Sequence, residues 1–302
     1  MQSMPAELVW KLFPKEQASM LLQTSSHMRG HLVAFKPLLA IKARSGQTTR
    51  DLDHGLNLKM MHYEIQSITL DKVDLNSDGS NILLETIQRC EKLSTLHIVE
   101  CGITFENAAH SRLLSVLTHC KSLVHLSLFQ NDISEDGVGM LAGVLADCPC
   151  LTHLDLCANE IGHKAMQVLA PALPRCKSLR YLDLAENRLG YRGAWRLAEV
   201  LPQCQTLAHL DLGHNKIQDA GMVEGLVGVL AQCTALTHLN LCHNWLGLYA
   251  EDRGITTLAA ILPRCPRLVH LDVRDNEIGN QGVRSLRAAA LECPSLTIVR
   301  NI

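Results

Sequence analysis

Leu151-Thr152-His153-Leu154-Asp155-Leu156-Cys157-Ala158-Asn159-Glu160-Ile161 is the phrase that decides the fold. Its Leu-x-x-Leu-x-Leu-x-x-Asn-x-Ile skeleton returns as Leu179, Leu182, Leu184, Asn187, Leu189 and again as Leu207, Leu210, Leu212, Asn215, Ile217. Further copies run upstream to Asn131 and downstream to Asn244 and Asn276, at intervals of 28 to 32 residues. Two earlier copies are degraded, one ending on Cys101 and one on Val73, and a last copy begins at Leu296. Self-similarity at this period predicts a solenoid.

The spacing inside each copy has a physical reading. Leucines alternating with other residues form a short strand whose leucines turn inward. The stretch after each Asn has helical periodicity, as in 163–173, where Met166, Leu169, Ala170 and Leu173 share one face. The expected architecture is therefore an α/β horseshoe, with a parallel sheet on the concave face and helices on the convex face. Asn131, Asn159, Asn187, Asn215, Asn244 and Asn276 are expected to form a structural ladder, because an amide side chain can serve backbone donors and acceptors together. Gly137, Gly193, Gly221, Gly254 and Gly282 recur near the helix starts, where the chain bends tightly or packs close.

Of 12 cysteines, eight recur in phase: Cys90, Cys120, Cys148, Cys176, Cys204, Cys233, Cys265 and Cys293. A residue returning once per coil fills one core slot, so these read as small buried hydrophobes. With no hydrophobic signal peptide at the start, a reducing, cytoplasmic compartment is expected. Repeats of about 28 residues, with a full helix and a Cys three residues before the first Leu, resemble the ribonuclease-inhibitor-like class of leucine-rich repeats. The same class includes the repeats of NOD-like receptors and of Ran GTPase-activating proteins. The resemblance covers residues 61–302 and speaks for fold, not function.

Residues 1–44 break the period. Pro5 opens a helical run through Leu8 and Leu12, and a second run reaches Leu22. The segment resembles a degenerate F-box, which implies docking on a Skp1-like adaptor through Leu8, Leu12 and Leu22. Without that role it is a helical cap closing the open end of the core. Residues 45–60 are turn-rich and read as a linker.

Composition narrows the function classes. Residues 1–60 hold eight basic and four acidic residues, and the other 242 hold 20 and 26, for a net charge of −2. A mildly acidic solenoid without a basic stripe is a poor nucleic-acid surface. No run of apolar residues is long enough for a membrane span. There is no phosphate loop, nucleophile elbow or His-Glu-x-x-His run, so neither catalysis nor a cofactor is expected.

The residues between the leucines face outward on the concave side. One column reads His125, His153, Tyr181, His209, His238, His270, and the next reads Ser127, Asp155, Asp183, Asp211, Asn240, Asp272. Paired along the sheet, these side chains need no metal. A specific partner needs departures from the repeat. Phe129, Tyr181, His214, His243, Trp245 and Arg274 are the expected protein-binding residues, weighted toward the C-terminal rim, where 247–254 form the longest insertion. The expected function is a non-enzymatic scaffold for a partner protein. The alternatives are an F-box-type substrate receptor and a GTPase-activating regulator using Arg188.

Overall fold

The computed structural model describes residues 38–43, 53–55, 64–75, 79–106, 108–248 and 252–301. The strands are β1 (Leu38–Ala43), β2 (Glu64–Asp71), β3 (Thr95–Val99), β4 (His125–Ser127), β5 (His153–Asp155), β6 (Tyr181–Asp183), β7 (His209–Asp211), β8 (His238–Asn240), β9 (His270–Asp272) and β10 (Thr297–Val299). They pair in chain order in one 10-stranded sheet, and every pair is parallel. Parallel neighbours need a crossover, and each crossover here carries the coil's convex side.

Register follows the predicted phase. Leu126, Leu154, Leu182, Leu210, Leu239 and Leu271 lie opposite one another on successive strands. All are at most 2% exposed. The degraded copies supply β2 and β3, and the copy begun at Leu296 supplies β10. β1 extends the sheet beyond the first recognisable repeat, within residues assigned from sequence to the N-terminal segment. Asp53–Gly55, in the expected linker, form a helical turn, and Thr86 Oγ1 donates to the Asp53 carboxylate. Leu8, Leu12 and Leu22 lie outside the described residues.

The helices are α1 (Gly79–Gln88), α2 (Ala108–His119), α3 (Glu135–Leu145), α4 (His163–Leu169), α5 (Gly190–Ala198), α6 (Gln218–Gly221), α7 (Val227–Leu230), α8 (Arg253–Ile261) and α9 (Asn280–Glu292). The helical pattern read over 163–173 splits in two. α4 stops at Leu169, and Ala170–Arg175 continue as a 3₁₀ helix containing Pro171 and Pro174, which have no amide hydrogen for the α ladder. The apolar face survives the change, since Met166, Leu169, Ala170 and Leu173 are all buried.

Between α6 and α7, Met222–Leu226 form a π-helical segment. This coil runs 29 residues from Asn215 to Asn244, one more than its predecessor. The surplus residue falls between Gly221, in phase with Gly193, and Leu226, which occupies the core position of Leu197 one residue late. A π turn takes one extra residue into a helix and leaves the later residues in phase.

The ladder is present as predicted. Asn187 Nδ2 donates to the carbonyls of Leu156, Leu184 and Ala185, while its Oδ1 accepts from the Ile161 amide of the preceding coil at 3.0 Å. Where Cys101 replaces Asn, its thiol reaches the Leu70 and Val99 carbonyls, covering part of the donor role. The residue before each ladder position, Gln130, Ala158, Glu186, His214, His243 or Asp275, holds φ near +50°. That turns the backbone so the Asn side chain can point inward. Six phase-locked thiols donate to the carbonyl four residues earlier at 3.4–3.7 Å. Burial pushes the Cys90 thiol up to about 12, the behaviour of an inert core residue. All twelve cysteines are free.

Candidate functional site

The outward columns on the strands form two continuous stripes. Short strands set about 4.8 Å apart bring ring onto ring. His125 stacks on His153 at 4.0 Å between centroids, and His209 stacks on His238 at 4.0 Å. Tyr181 bridges the two pairs at 5.6 and 5.9 Å, and His270 ends the column 5.6 Å from His238. Burial lowers the pKa of His153, His209 and His238, with neighbouring imidazoles adding to the effect at His153 and His238. A continuous stripe of rings is the result. Faces rather than nitrogens meet, and no group of three or more ligating side chains is placed for a metal among the described residues.

The second stripe is acidic, and each member first serves its own backbone. Asp155, Asp183, Asp211 and Asp272 accept from the amide two residues ahead, as Asn240 Oδ1 does from Cys242 at 2.9 Å. Toward its ends the carboxylates gain further donors. Ser127 donates to Asp155 at 2.7 Å, Asn240 donates to both oxygens of Asp211, and Arg274 grips Asp272. Asp183, in the middle, receives Tyr181 Oη at 3.3 Å besides its backbone bond, and no other donor among the described residues. Burial, then the Asp211 and Asp155 charges, push its carboxyl up to about 6. Burial alone would raise Asp272 too, but the Arg274 guanidinium holds it below the usual range.

Of the residues singled out from sequence, four gather at the C-terminal rim. His214 stacks on His243 at 4.0 Å, and His243 Nε2 meets Asp275 at 3.1 Å. Trp245 is 39% exposed, with the Lys216 ammonium 5.1 Å from its ring centre. Arg274 is exposed and fixed against Asp272. Tyr181 sits in the ring stripe, apart from these, and Phe129 is half-buried beside β4, five strands from β9. Arg188 is held by Glu160 at 2.6 Å. The insertion after Gly247 ends on Asp252, whose buried carboxylate accepts the Gly279 and Gly282 amides of the next coil at 2.7 and 2.8 Å.

Sequence reasoning passed over the convex side. There a groove of about 450 Å³ is lined by His163, Gln167, Tyr191, Arg192, Trp195, Arg196 and Ala220. Tyr191 and Trp195 are each about 40% exposed. The signal was available as a departure from the repeat: two residues either side of the recurrent Gly193, other coils carry Glu135 and Gly139, or Thr256, or Asn280 and Arg284, and never Tyr or Trp.

A leucine-rich-repeat family model matches residues 119–142, 175–198, 203–224 and 264–286. With the ladder and the sheet, this gives the chain the fold of a leucine-rich-repeat solenoid. Human NACHT, LRR and PYD domains-containing protein 13 is 35% identical over 96 residues, which is 32% of this chain and 8% of that protein. An internalin (inlF) from Listeria monocytogenes str. 4b F2365 shares the fold with a TM-score of 0.51 and 15% identity, across 99% of this chain and 91% of that one. Among the described residues no helix is long and apolar enough to cross a membrane.

Proposed function

We propose that the chain is a non-enzymatic scaffold, of the ribonuclease-inhibitor-like repeat type, that seats a partner protein on its concave face and C-terminal rim. The observation that carries this is the rim cluster: an exposed Trp245 beside stacked His214 and His243, with the stripe of rings that includes Tyr181 set apart on the strands. Half-exposed aromatic and arginine side chains on rigid elements are the residue types that dominate protein interfaces. Held in place by the ladder, they need little ordering on binding. Phe129 marks the far end of the same face, and Arg274 supplies a fixed cation.

A reducing, cytoplasmic setting fits twelve free thiols, eight of them in one repeated slot where they are buried or half-buried. The test is affinity capture with the full chain against Trp245→Ala and His214→Ala/Arg274→Glu variants of verified fold. Partners retained equally by all three would defeat the proposal. A second reading rests on the Pro5, Leu8, Leu12 and Leu22 pattern, by which residues 1–44 dock a Skp1-like adaptor and the repeats hold a substrate. Leu8→Arg/Leu12→Arg should then lose a purified adaptor while keeping the rim partner. If parent and variant bind alike, the segment is a cap and 61–302 is the working domain.

A further inference from the structure

The convex groove has a composition unlike the rest of that surface. α5 places Tyr191 and Trp195 four residues apart, so both rings rise from one helical face, with Arg192 and Arg196 beside them. The rings are uncovered because of what packs next to them. A Cβ on Gly221 would lie 3.0 Å from Tyr191 Cα, and one on Gly225 would lie 3.1 Å from Trp195 Cα. Two glycines thus bring the following helix in by its backbone, and the π turn carries Gly225 to that position. The neighbouring wall is the small Ala220, and α4 contributes His163 and Gln167 on the other side.

Charge identifies the occupant. Among the described residues the lining holds two guanidinium groups and an imidazole, and no carboxylate. Arg196 lies over the Trp195 ring at 4.6 Å and shares one edge with Glu199 at 3.1 Å. Arg192 contacts the Tyr191 ring and hydroxyl and makes no ion pair among the described residues. A guanidinium laid on an aromatic face keeps N–H donors for a carboxylate.

We infer that this groove binds an acidic segment of a partner protein, seating an apolar side chain between Tyr191 and Trp195 with carboxylates on Arg192 and Arg196. Its own N-terminal stretch is the wrong sign, since residues 1–37 carry Lys11, Lys15, Arg29 and Lys36 against Glu7 and Glu16. The groove faces away from the strands, so it is a second binding surface, independent of the concave one.

The test pans short random peptides displayed on phage against the full chain. The peptides recovered are then measured by calorimetry on Arg192→Glu/Arg196→Glu, Tyr191→Ala/Trp195→Ala and Trp245→Ala. All these positions are solvent-facing, and circular dichroism checks each fold. The expected result is acidic peptides containing Phe, Trp or Leu, bound about tenfold or more weakly by each groove variant. Trp245→Ala should bind them as the parent does. Recovery of neutral or basic peptides, or affinities untouched by the groove variants, would overturn the inference. So would a dT oligonucleotide bound through the same residues, or self-association that the groove variants abolish. Loss on Trp245→Ala alone would move the peptides to the concave face.

Discussion

The coils closing on Asn159, Asn187 and Asn215 each take 28 residues, whereas those closing on Asn244 and Asn276 take 29 and 32. The strands do not register the difference: Leu182, Leu210, Leu239 and Leu271 stay opposite one another through both regions. The added length falls outside strands and ladder, one residue into Met222–Leu226 and the rest between Asn244 and α8. Strands and ladder tolerate no slip, because a one-residue shift sends every leucine to the wrong face. Helices and loops tolerate it, because nothing there is periodic at two residues.

That contrast can be broken most severely by moving the tolerated change to the intolerant side. One alanine inserted between Leu182 and Asp183 should cost about 5 kcal/mol or more, seen as loss of a cooperative urea transition. Next in size, Leu182→Ala or Leu210→Ala should each cost roughly 2–5 kcal/mol and loosen the adjoining coils together. Asn187→Ala should cost roughly 1–3 kcal/mol by stranding the Ile161 amide and three carbonyls. Asn276→Ala should cost less, since that Asn is only half-buried. Equal losses for the two would mean that burial does not set the ladder's value.

Asp183→Asn should act in the opposite direction. Asn240 already makes the same backbone bond in its own coil, so the amide keeps the turn and removes a crowded charge. The folded carboxyl is held up at about 6, above its ordinary 3.8. Its share of stability is therefore complete below about pH 4 and lost as pH rises through about 6. The variant should be about 1–2 kcal/mol more stable than the parent at pH 7–8, with the gap closing by pH 4. The lowered imidazoles act oppositely in both proteins, their contribution fading as pH falls below about 6.5, so only the difference reports on Asp183. The smallest effect belongs to deleting one residue from Met222–Leu226. That should restore a 28-residue coil and leave stability within about 1 kcal/mol of the parent.

The fold was readable because its determinants recur. Leu154, Asn159 and Cys176 each solve a problem that every coil poses, so the period exposes them. β1 was not readable, since Leu38–Ala43 joins the sheet by backbone pairing and carries no ladder Asn. The count of 29 between Asn215 and Asn244 was visible, but not where the surplus would settle, because helix hydrogen bonding decides that. The rim residues could be picked as departures in the turn after each strand, where the ladder Asn fixes every position. Tyr191 and Trp195 were equally visible as departures, but not their exposure, which depends on how closely the next helix packs at Gly221 and Gly225 one coil away.

Each ladder Asn bonds its own coil and the one before it, and nothing farther. Stretched by its two ends, such a molecule would yield at one seam while the remaining seams held. Every released coil would add roughly 90–100 Å of slack chain. The force record of a single molecule would be a train of near-equal steps, with the last two full coils giving the longest.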